Sequence, residues 1–489
     1  MTILMPNEPV IIHEIETNLT PIDCLKLFEE RSHLFFLDSG MDSQKLGRYS
    51  FLGFDPFLTL RSKAGQIEII ENGRVRAFAG NPFLILKDIL KRFKIEGSET
   101  HLPFTCGAVG YFGYDLCHHL EKIPSCTVDD MSIPDMHISL YDTSIAFDHL
   151  RDKVFVSSSG LPELDPAKRE LRALRRMDRI MGMISDAAGA TRKERITDGP
   201  LEEPHIISNF TKPGYIDAII KAKEHIAMGD IYQVNLSQRL SCDIAIPPRA
   251  LFERLRAINP APFSAFLDLG DLKIVSASPE RFLCKRGANI HTRPIKGTRP
   301  RGIDPADDER MKIELISSAK DRAEHVMIVD LERNDLGRIC QHGSVLPTEF
   351  IALETYATVF HLTSTVGGIL RQDVDAVDCL MNCFPGGSIT GAPKIRSMEI
   401  IDALEPTRRS VYTGSIGYIG FDGDMDTSIV IRTFIIKGKK AYFQVGGGIV
   451  ADSDPEMEYE ETLHKARALV DALGPCHSGR AVCHPERRS

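Results

Sequence analysis

Gly229-Asp-Ile-Tyr-Gln-Val-Asn-Leu-Ser-Gln-Arg239 is the stretch on which the reading of this chain turns. Upstream of it, Thr211 and Pro213 are helix start signals, and Ile216, Ile219, Ile220, Ile226 and Ala227 make one apolar helical face. Gly229 ends that helix and a strand begins. Val234, Leu236 and Leu240 fall on one side of the strand, and Gln233, Asn235, Ser237 and Arg239 on the other. A strand whose second face is wholly polar either meets solvent or lines a polar site.

Outward from this stretch the chain divides into three regions and a tail. Residues 1–155 mix short strand-like runs with turn clusters, such as Leu34-Phe35-Phe36-Leu37 and Gly65-Gln66-Ile67-Glu68-Ile69-Ile70. The second run leads into Asn72-Gly73, a strong hairpin signal. Pro82 to Phe93 has the pattern of a short amphipathic helix. Residues 156–205 hold a basic helical pattern (Arg169, Arg172, Arg175, Arg176, Arg179), expected to be a solvated face, and then a linker. Residues 206–473 carry nearly all the chemical signals. The Arg-, His- and Pro-rich residues 474–489 are expected to be disordered.

A chain of 489 residues with 43% hydrophobic and 26% charged residues has the composition of an ordinary globular protein. Its net charge of −9 argues against nucleic acid as a partner. No apolar run approaches membrane-spanning length, and the amino terminus lacks a secretory pattern. The 11 cysteines are scattered without a Cys-x-x-Cys pair, so a reducing cytoplasm is the expected location.

Three constellations carry chemistry. Lys296 lies in Arg293-Pro-Ile-Lys-Gly-Thr-Arg-Pro300, where Gly297 permits close backbone approach and Thr298 can donate to an anion. A lysine so placed is either an exposed turn residue or a nucleophile. Asp321 and Glu324 share a helical face at i,i+3, as do Glu458 and Glu461 in a second helix that opens at Ser453-Asp-Pro-Glu456 with a capping box. One such pair alone reads as a solvated face; two together fit an oxygen-ligand site for Mg²⁺. Two glycine-rich runs, Gln444-Val-Gly-Gly-Gly-Ile449 and Pro385-Gly-Gly-Ser-Ile-Thr-Gly-Ala-Pro-Lys394, are tight turns or anion-binding loops. The latter is not a phosphate loop, because Ala392-Pro393 separates Gly391 from Lys394 and no Ser or Thr follows the lysine.

Together with Ser276-Ala-Ser-Pro-Glu-Arg-Phe282, Ala323-Glu-His325 and Asp330-Leu-Glu-Arg-Asn-Asp335, these segments resemble, in order over about 206–472, the chorismate-utilising enzymes, the family that includes anthranilate synthase component I. The resemblance implies a large composite α+β fold, with antiparallel sheets packed in a sandwich and helices outside. It also implies a Mg²⁺-dependent reaction on chorismate. Glu324 and Glu461 would be direct ligands, with Asp321 and Glu458 acting through water. Tyr412, Arg432, Gly297, Thr298 and the Gly446, Gly447 and Gly448 backbone would bind substrate. Glu280 would protonate the departing hydroxyl, and His361 would be a further active-site residue. Ser39, Arg48, Tyr49, Ser50, Pro262, Phe263 and Ser264 would form a pocket that in some members holds tryptophan.

Two positions divide the family. Water-adding members carry a lysine base where this chain has Gln233, which points to ammonia as nucleophile. Anthranilate-forming members usually read Pro-Ile-Ala-Gly-Thr, whereas Lys296 matches the aminodeoxychorismate-forming members of 4-aminobenzoate and folate biosynthesis. Lacking a recognisable glutaminase domain, the chain is expected to take ammonia from a separate glutamine amidotransferase subunit. Anthranilate formation is the near rival, and a non-catalytic chorismate-binding subunit the rival of another class. A Mg²⁺-dependent phosphotransferase is disfavoured by the failed phosphate loop.

Overall fold

The computed structural model describes residues 10–39, 46–96, 100–188, 203–355, 359–474 and 482–483. Among them, two large sheets, of 13 and 12 strands, pair almost wholly antiparallel. Both sheets take strands from the two ends of the sequence. Phe35–Asp38 pairs with Phe263–Asp268 in the first, and Gly107–Phe112 with Ser415–Gly420 in the second. The amino-terminal and carboxy-terminal regions therefore share one framework.

A core of large side chains fills the space between the sheets. Phe35 and Phe51 from the first meet Tyr141 and Tyr418 from the second, with ring centroids 4.6 and 5.8 Å apart. Helices cover the outer faces. Pro21–Leu27, Pro166–Ala188, Pro248–Ile258 and Pro455–Leu473 pack on the first sheet, and Pro82–Arg92 and Ala376–Cys383 on the second. The α+β sandwich is thus present. No helix among the described residues is long and apolar enough to cross a membrane.

Local signals led to the right elements. Strands Gln66–Glu71 and Arg74–Ala79 meet at Asn72-Gly73, both in the left-handed backbone region that this hairpin turn demands. The Lys212–Ala227 helix is capped by the Thr211 hydroxyl, which accepts from the Gly214 N–H.

Three expectations need correction. The basic helix is not merely solvated: Arg172 and Arg176 reach the buried Asp142 at 3.2 and 2.9 Å, leaving only Arg175 and Arg179 exposed. The Pro455–Leu473 helix is capped by Asp454, which accepts from Met457 N–H, while Ser453 bonds Glu458 instead of closing a box with Glu456. In the tail, Val482–Cys483 pairs in parallel with Ile206–Ile207, so the expected disorder does not extend to those two residues; 475–481 and 484–489 lie outside the described residues, as does most of the expected linker (189–202).

Candidate active site

The opening strand, Gln233–Asp243, lies inside the first sheet with Lys440–Ile449 along its edge. Its apolar face is buried, and so is its polar one: Gln233, Ser237 and Arg239 are all nearly inaccessible. The polar face is therefore packed inside the fold, with Ser237 bonded to Glu405 and Arg239 paired with Asp130. Among the described residues neither polar atom of the Gln233 amide has a hydrogen-bond partner, an unusual and costly state for a buried amide.

The Gly446-Gly447-Gly448 run is neither loop nor turn, contrary to expectation. It lies near the carboxy-terminal end of the Lys440–Ile449 strand, paired with Ser237, Leu236 and Asn235. The missing side chains are what matter there. A Cβ on Gly448 would lie 3.0 Å from Lys296 Nζ and 3.1 Å from both Asn235 Oδ1 and Gln233 Nε2. A Cβ on Gly447 would lie 3.3 Å from Glu458 Oε2 and 3.7 Å from Glu461 Oε1. Successive strand residues face opposite ways, so Gly448 leaves room for Lys296 and the polar strand on one face and Gly447 for the two carboxylates on the other.

Lys296 stands on the Ile295–Pro300 strand, where the pairing with Val359–Ile369 shifts register between Ile295 and Thr298. Gly297 takes up that irregularity with φ of 84°. A Cβ there would meet Leu315 and Asp321, so the strand can sit tightly on the Ala319–Gly337 helix only with glycine. Lys296 Nζ is 3.1 Å from Glu324 Oε2 on that helix. Thr298 pairs with His361, whose Nδ1 lies 2.8 Å from Thr298 Oγ1. Burial, with Arg432 nearby, pushes the His361 imidazole down to about 3. A ring held neutral in this way positions Thr298 and is no proton donor.

Glu280 lies between strands Leu272–Ser278 and Arg281–Arg286 and is buried. Burial pushes its carboxyl up to about 7, against the opposing pull of the Ser388 hydroxyl, the Ile295 N–H, Lys296 and Arg432. Arg432 adopts a left-handed backbone, φ 51°, a costly conformation for a residue of its size. Among the described residues no carboxylate forms an ion pair with its guanidinium; its Nη1 donates to Asn259 Oδ1 at 3.4 Å. Tyr412 is buried, with the Arg409 guanidinium 5.8 Å from its ring centroid.

The four expected metal ligands do not gather. Asp321 is drawn to Arg299 at 3.1 Å, Glu324 to Lys296, and Glu461 to Lys465 at 2.7 Å, while Glu458 accepts from Ser453. Among the described residues no group of three or more His, Cys, Asp or Glu side chains stands close enough to hold a metal ion. The donor chemistry nonetheless fits a hard cation. Burial and the neighbouring Glu461 charge raise the Glu458 carboxyl above its usual range, and a cation shared by the pair would relieve that.

The second pocket is partly assembled. Ser39 Oγ donates to the Pro262 carbonyl at 3.1 Å, Ser50 Oγ accepts from Ser39 N–H and donates to Asp38, and Ser264 lies opposite Asp38. Phe263 lies beneath the Arg281 guanidinium. Arg48 and Tyr49 do not join this group. Strand alternation puts Tyr49 opposite Ser50, stacked on Phe51, and Arg48 is held by Asp148 at 2.8 Å.

Two contributors were missed in the sequence. Ser388, within the Pro385–Lys394 run, accepts from Asn235 Nδ2 through its carbonyl at 2.9 Å, and its hydroxyl draws the Glu280 carboxyl down against burial. Lys394, at the end of that run, turns inward to Asp335 and to the carbonyls of Cys383 and Pro385. The loop is thus fixed as structure, with its lysine spent. Only the clustering of polar residues around a glycine pair hinted at Ser388.

Comparison with known proteins fits this geometry. The profile of the chorismate binding enzymes matches residues 35–471. The chain is 40% identical over 468 residues to anthranilate synthase component 1 of Acetivibrio thermocellus, covering 95% of each. It is also 40% identical over 452 residues to aminodeoxychorismate synthase component 1 of Bacillus subtilis (strain 168), covering 92% of this chain and 93% of that one. Among solved structures, anthranilate synthase component I from Streptococcus pneumoniae TIGR4 superposes with a TM-score of 0.77 at 33% identity, over 88% of this chain and 93% of the other.

Proposed function

We propose that this chain, which belongs to the chorismate-binding enzyme family, aminates chorismate at ring C4 to give 4-amino-4-deoxychorismate through a covalent adduct on Lys296. The observation that carries this reading is the place of Lys296 Nζ, over bare glycine backbone, within ion-pair distance of Glu324 and beside the unpartnered Gln233 amide.

In this reading the Lys296 amine, released from Glu324 as free base, attacks ring C2. The double bond shifts, the C4 hydroxyl departs, and Glu280 supplies its proton, so water leaves. Ammonia then adds at C4, the double bonds return, the lysine amine is expelled from C2, and the new C4 ammonium returns a proton to the Glu280 carboxylate. Splitting one displacement into two is the gain of covalent catalysis. Gln233 offers a donor and an acceptor but no base able to deprotonate water, which favours ammonia. Arg432, which forms no ion pair among the described residues, suits a substrate carboxylate by bidentate geometry. Thr298, held by His361, and Tyr412 complete the substrate contacts. Glu324 and Glu461, with Glu458, are the residues that would hold Mg²⁺, which when bound supplies positive charge to the ring carboxylate. Asp321, engaged with Arg299, would act at most through water. A glutaminase subunit supplies the ammonia, in a cytoplasmic pathway toward 4-aminobenzoate and folate.

Anthranilate formation is the second reading, favoured by equal identity to a relative of that name. Incubation with chorismate, ammonium and Mg²⁺, followed by product identification by mass spectrometry, separates the two. We expect aminodeoxychorismate. Anthranilate as main product overturns the specific assignment, and no product with ammonium or with a glutaminase partner overturns the enzyme reading.

A further inference from the structure

Three polar side-chain atoms converge over one face of Gly448. A Cβ there would stand 3.0 Å from Lys296 Nζ and 3.1 Å from both Asn235 Oδ1 and Gln233 Nε2. Asn235 pairs with Gly448 across the two strands, and Gln233, two residues before it, shares its face. Lys296 already has an ion-pair partner in Glu324. The two amides beside it are neutral.

Asn235 is held so that its side-chain oxygen is left over. Its backbone N–H donates to the Thr390 carbonyl at 2.8 Å, and its carbonyl accepts from Arg409 Nη2 at 2.7 Å. Its Nδ2 donates to the Ser388 carbonyl at 2.9 Å. A carbonyl only accepts, so this bond fixes which end of the amide is nitrogen and leaves Oδ1 on the Gly448 face. Among the described residues Oδ1 receives no hydrogen bond. The Gln233 amide is buried, and among the described residues no hydrogen bond fixes either of its ends. It can therefore turn its oxygen to the same space.

A nitrogen nucleophile must keep its lone pair free, so the groups that hold it must accept its N–H bonds. Amide oxygens accept without taking up a proton. A carboxylate in their place would favour ammonium, which has no lone pair to give. We propose that the Asn235 and Gln233 amides, beside Lys296, form the binding site for the ammonia that attacks C4. The inference rests on ammonia as the second nucleophile of the reaction proposed above. As the C4–N bond forms, the bond from C2 to Lys296 Nζ breaks, and the C4 ammonium passes a proton to the Glu280 carboxylate. A site beside Nζ suits attack on a carbon two bonds along the ring from the one that carries the lysine.

The test follows the two nucleophilic steps separately. The adduct is formed with chorismate and Mg²⁺ and no ammonia source, then discharged with ammonium, both steps read by intact-protein mass spectrometry. Asn235→Ala should form the adduct at close to the native rate. Its discharge by ammonium should slow by about fivefold or more, as loss of one hydrogen bond to the nucleophile predicts. Gln233→Met keeps the length of the side chain and removes a buried amide without a partner, so it should not lower the urea midpoint. It should slow discharge in the same way, and it decides the question if Asn235→Ala fails to fold. Unchanged discharge in either variant overturns the site. Adduct formation slowed as much as discharge also overturns it, because the amides would then serve Lys296 or the strand. If the native chain forms no adduct, the lysine reading falls by itself, and steady-state kinetics of the same variants decides the ammonia site. A loss in kcat/KM for ammonium alone supports the site; an equal loss for ammonium and chorismate, or no loss, overturns it.

Discussion

Lys296 Nζ and Glu324 Oε2 are 3.1 Å apart, so the proposed nucleophile and a proposed metal ligand share one ion pair. A cation held by Glu324 would compete with the Lys296 ammonium for the same negative charge. The pair ties the Ile295–Pro300 strand to the Ala319–Gly337 helix and links release of the amine to the charge carried by Glu324. Replacing Lys296 with alanine should abolish aminodeoxychorismate formation and leave Mg²⁺ bound at least as tightly, measured by calorimetry. Weaker metal binding in Lys296→Ala would contradict this linkage.

Glu280 sets the expected pH dependence. Its carboxyl lies at about 7 in the fold, above the usual carboxylate range, because burial penalises the charge. As an acid it works while protonated, so activity should be present below about 7 and fall as pH rises through that value. The stability contribution has the same sense: ionising a buried Glu280 costs the fold stability as pH rises toward and through its folded value. Glu280→Gln should lower kcat by roughly 10²- to 10⁴-fold and remove this limb from the pH–rate profile.

Two glycines of one strand, Gly446 and Gly448, should respond differently to alanine. At Gly446 the added Cβ would lie 2.4 Å from the Leu236 carbonyl oxygen, and backbone cannot yield as a side-chain tip can. Gly446→Ala should cost about 1–3 kcal/mol of stability in urea unfolding. At Gly448 the nearest atom is the mobile end of Lys296, 3.0 Å away. Gly448→Ala should fold nearly as well as the native chain while losing activity. Equal destabilisation of both would show that Gly448 serves packing alone.

Much of the site was legible because its signals are local. Alternation placed the polar face of Gln233–Arg239, helical spacing paired the carboxylates, and Gly297-Thr298 marked the turn of backbone around Lys296. What stayed hidden depends on chain segments far apart in sequence. Nothing near Asp321 announces Arg299, and nothing near Asp142 announces Arg172 and Arg176. Gly446–Gly448 resembled a loop because a strand made of glycine has no alternation to read; only its partners in Leu236 and Asn235 reveal it.

The buried pair Glu405–Arg409 carries a structural prediction. The two side chains meet at 2.7 Å. Arg409 donates to the Asn235 and Ile389 carbonyls, and Glu405 accepts from Ser237. The pair joins the polar strand to the Pro385–Lys394 loop. Arg409→Leu would strand a buried carboxylate and should destabilise the chain by about 3–5 kcal/mol, read from the urea midpoint. A change within experimental scatter would show that the junction holds without it.

The covalent adduct is the central claim, and intact-protein mass spectrometry tests it most directly. With chorismate and Mg²⁺ but no ammonia source, the native chain should gain the mass of chorismate less one water, located on Lys296 by peptide mapping, and ammonium should discharge it as aminodeoxychorismate. An unmodified Lys296 under these conditions, together with a Lys296→Ala chain that makes the same product unimpaired, would contradict it.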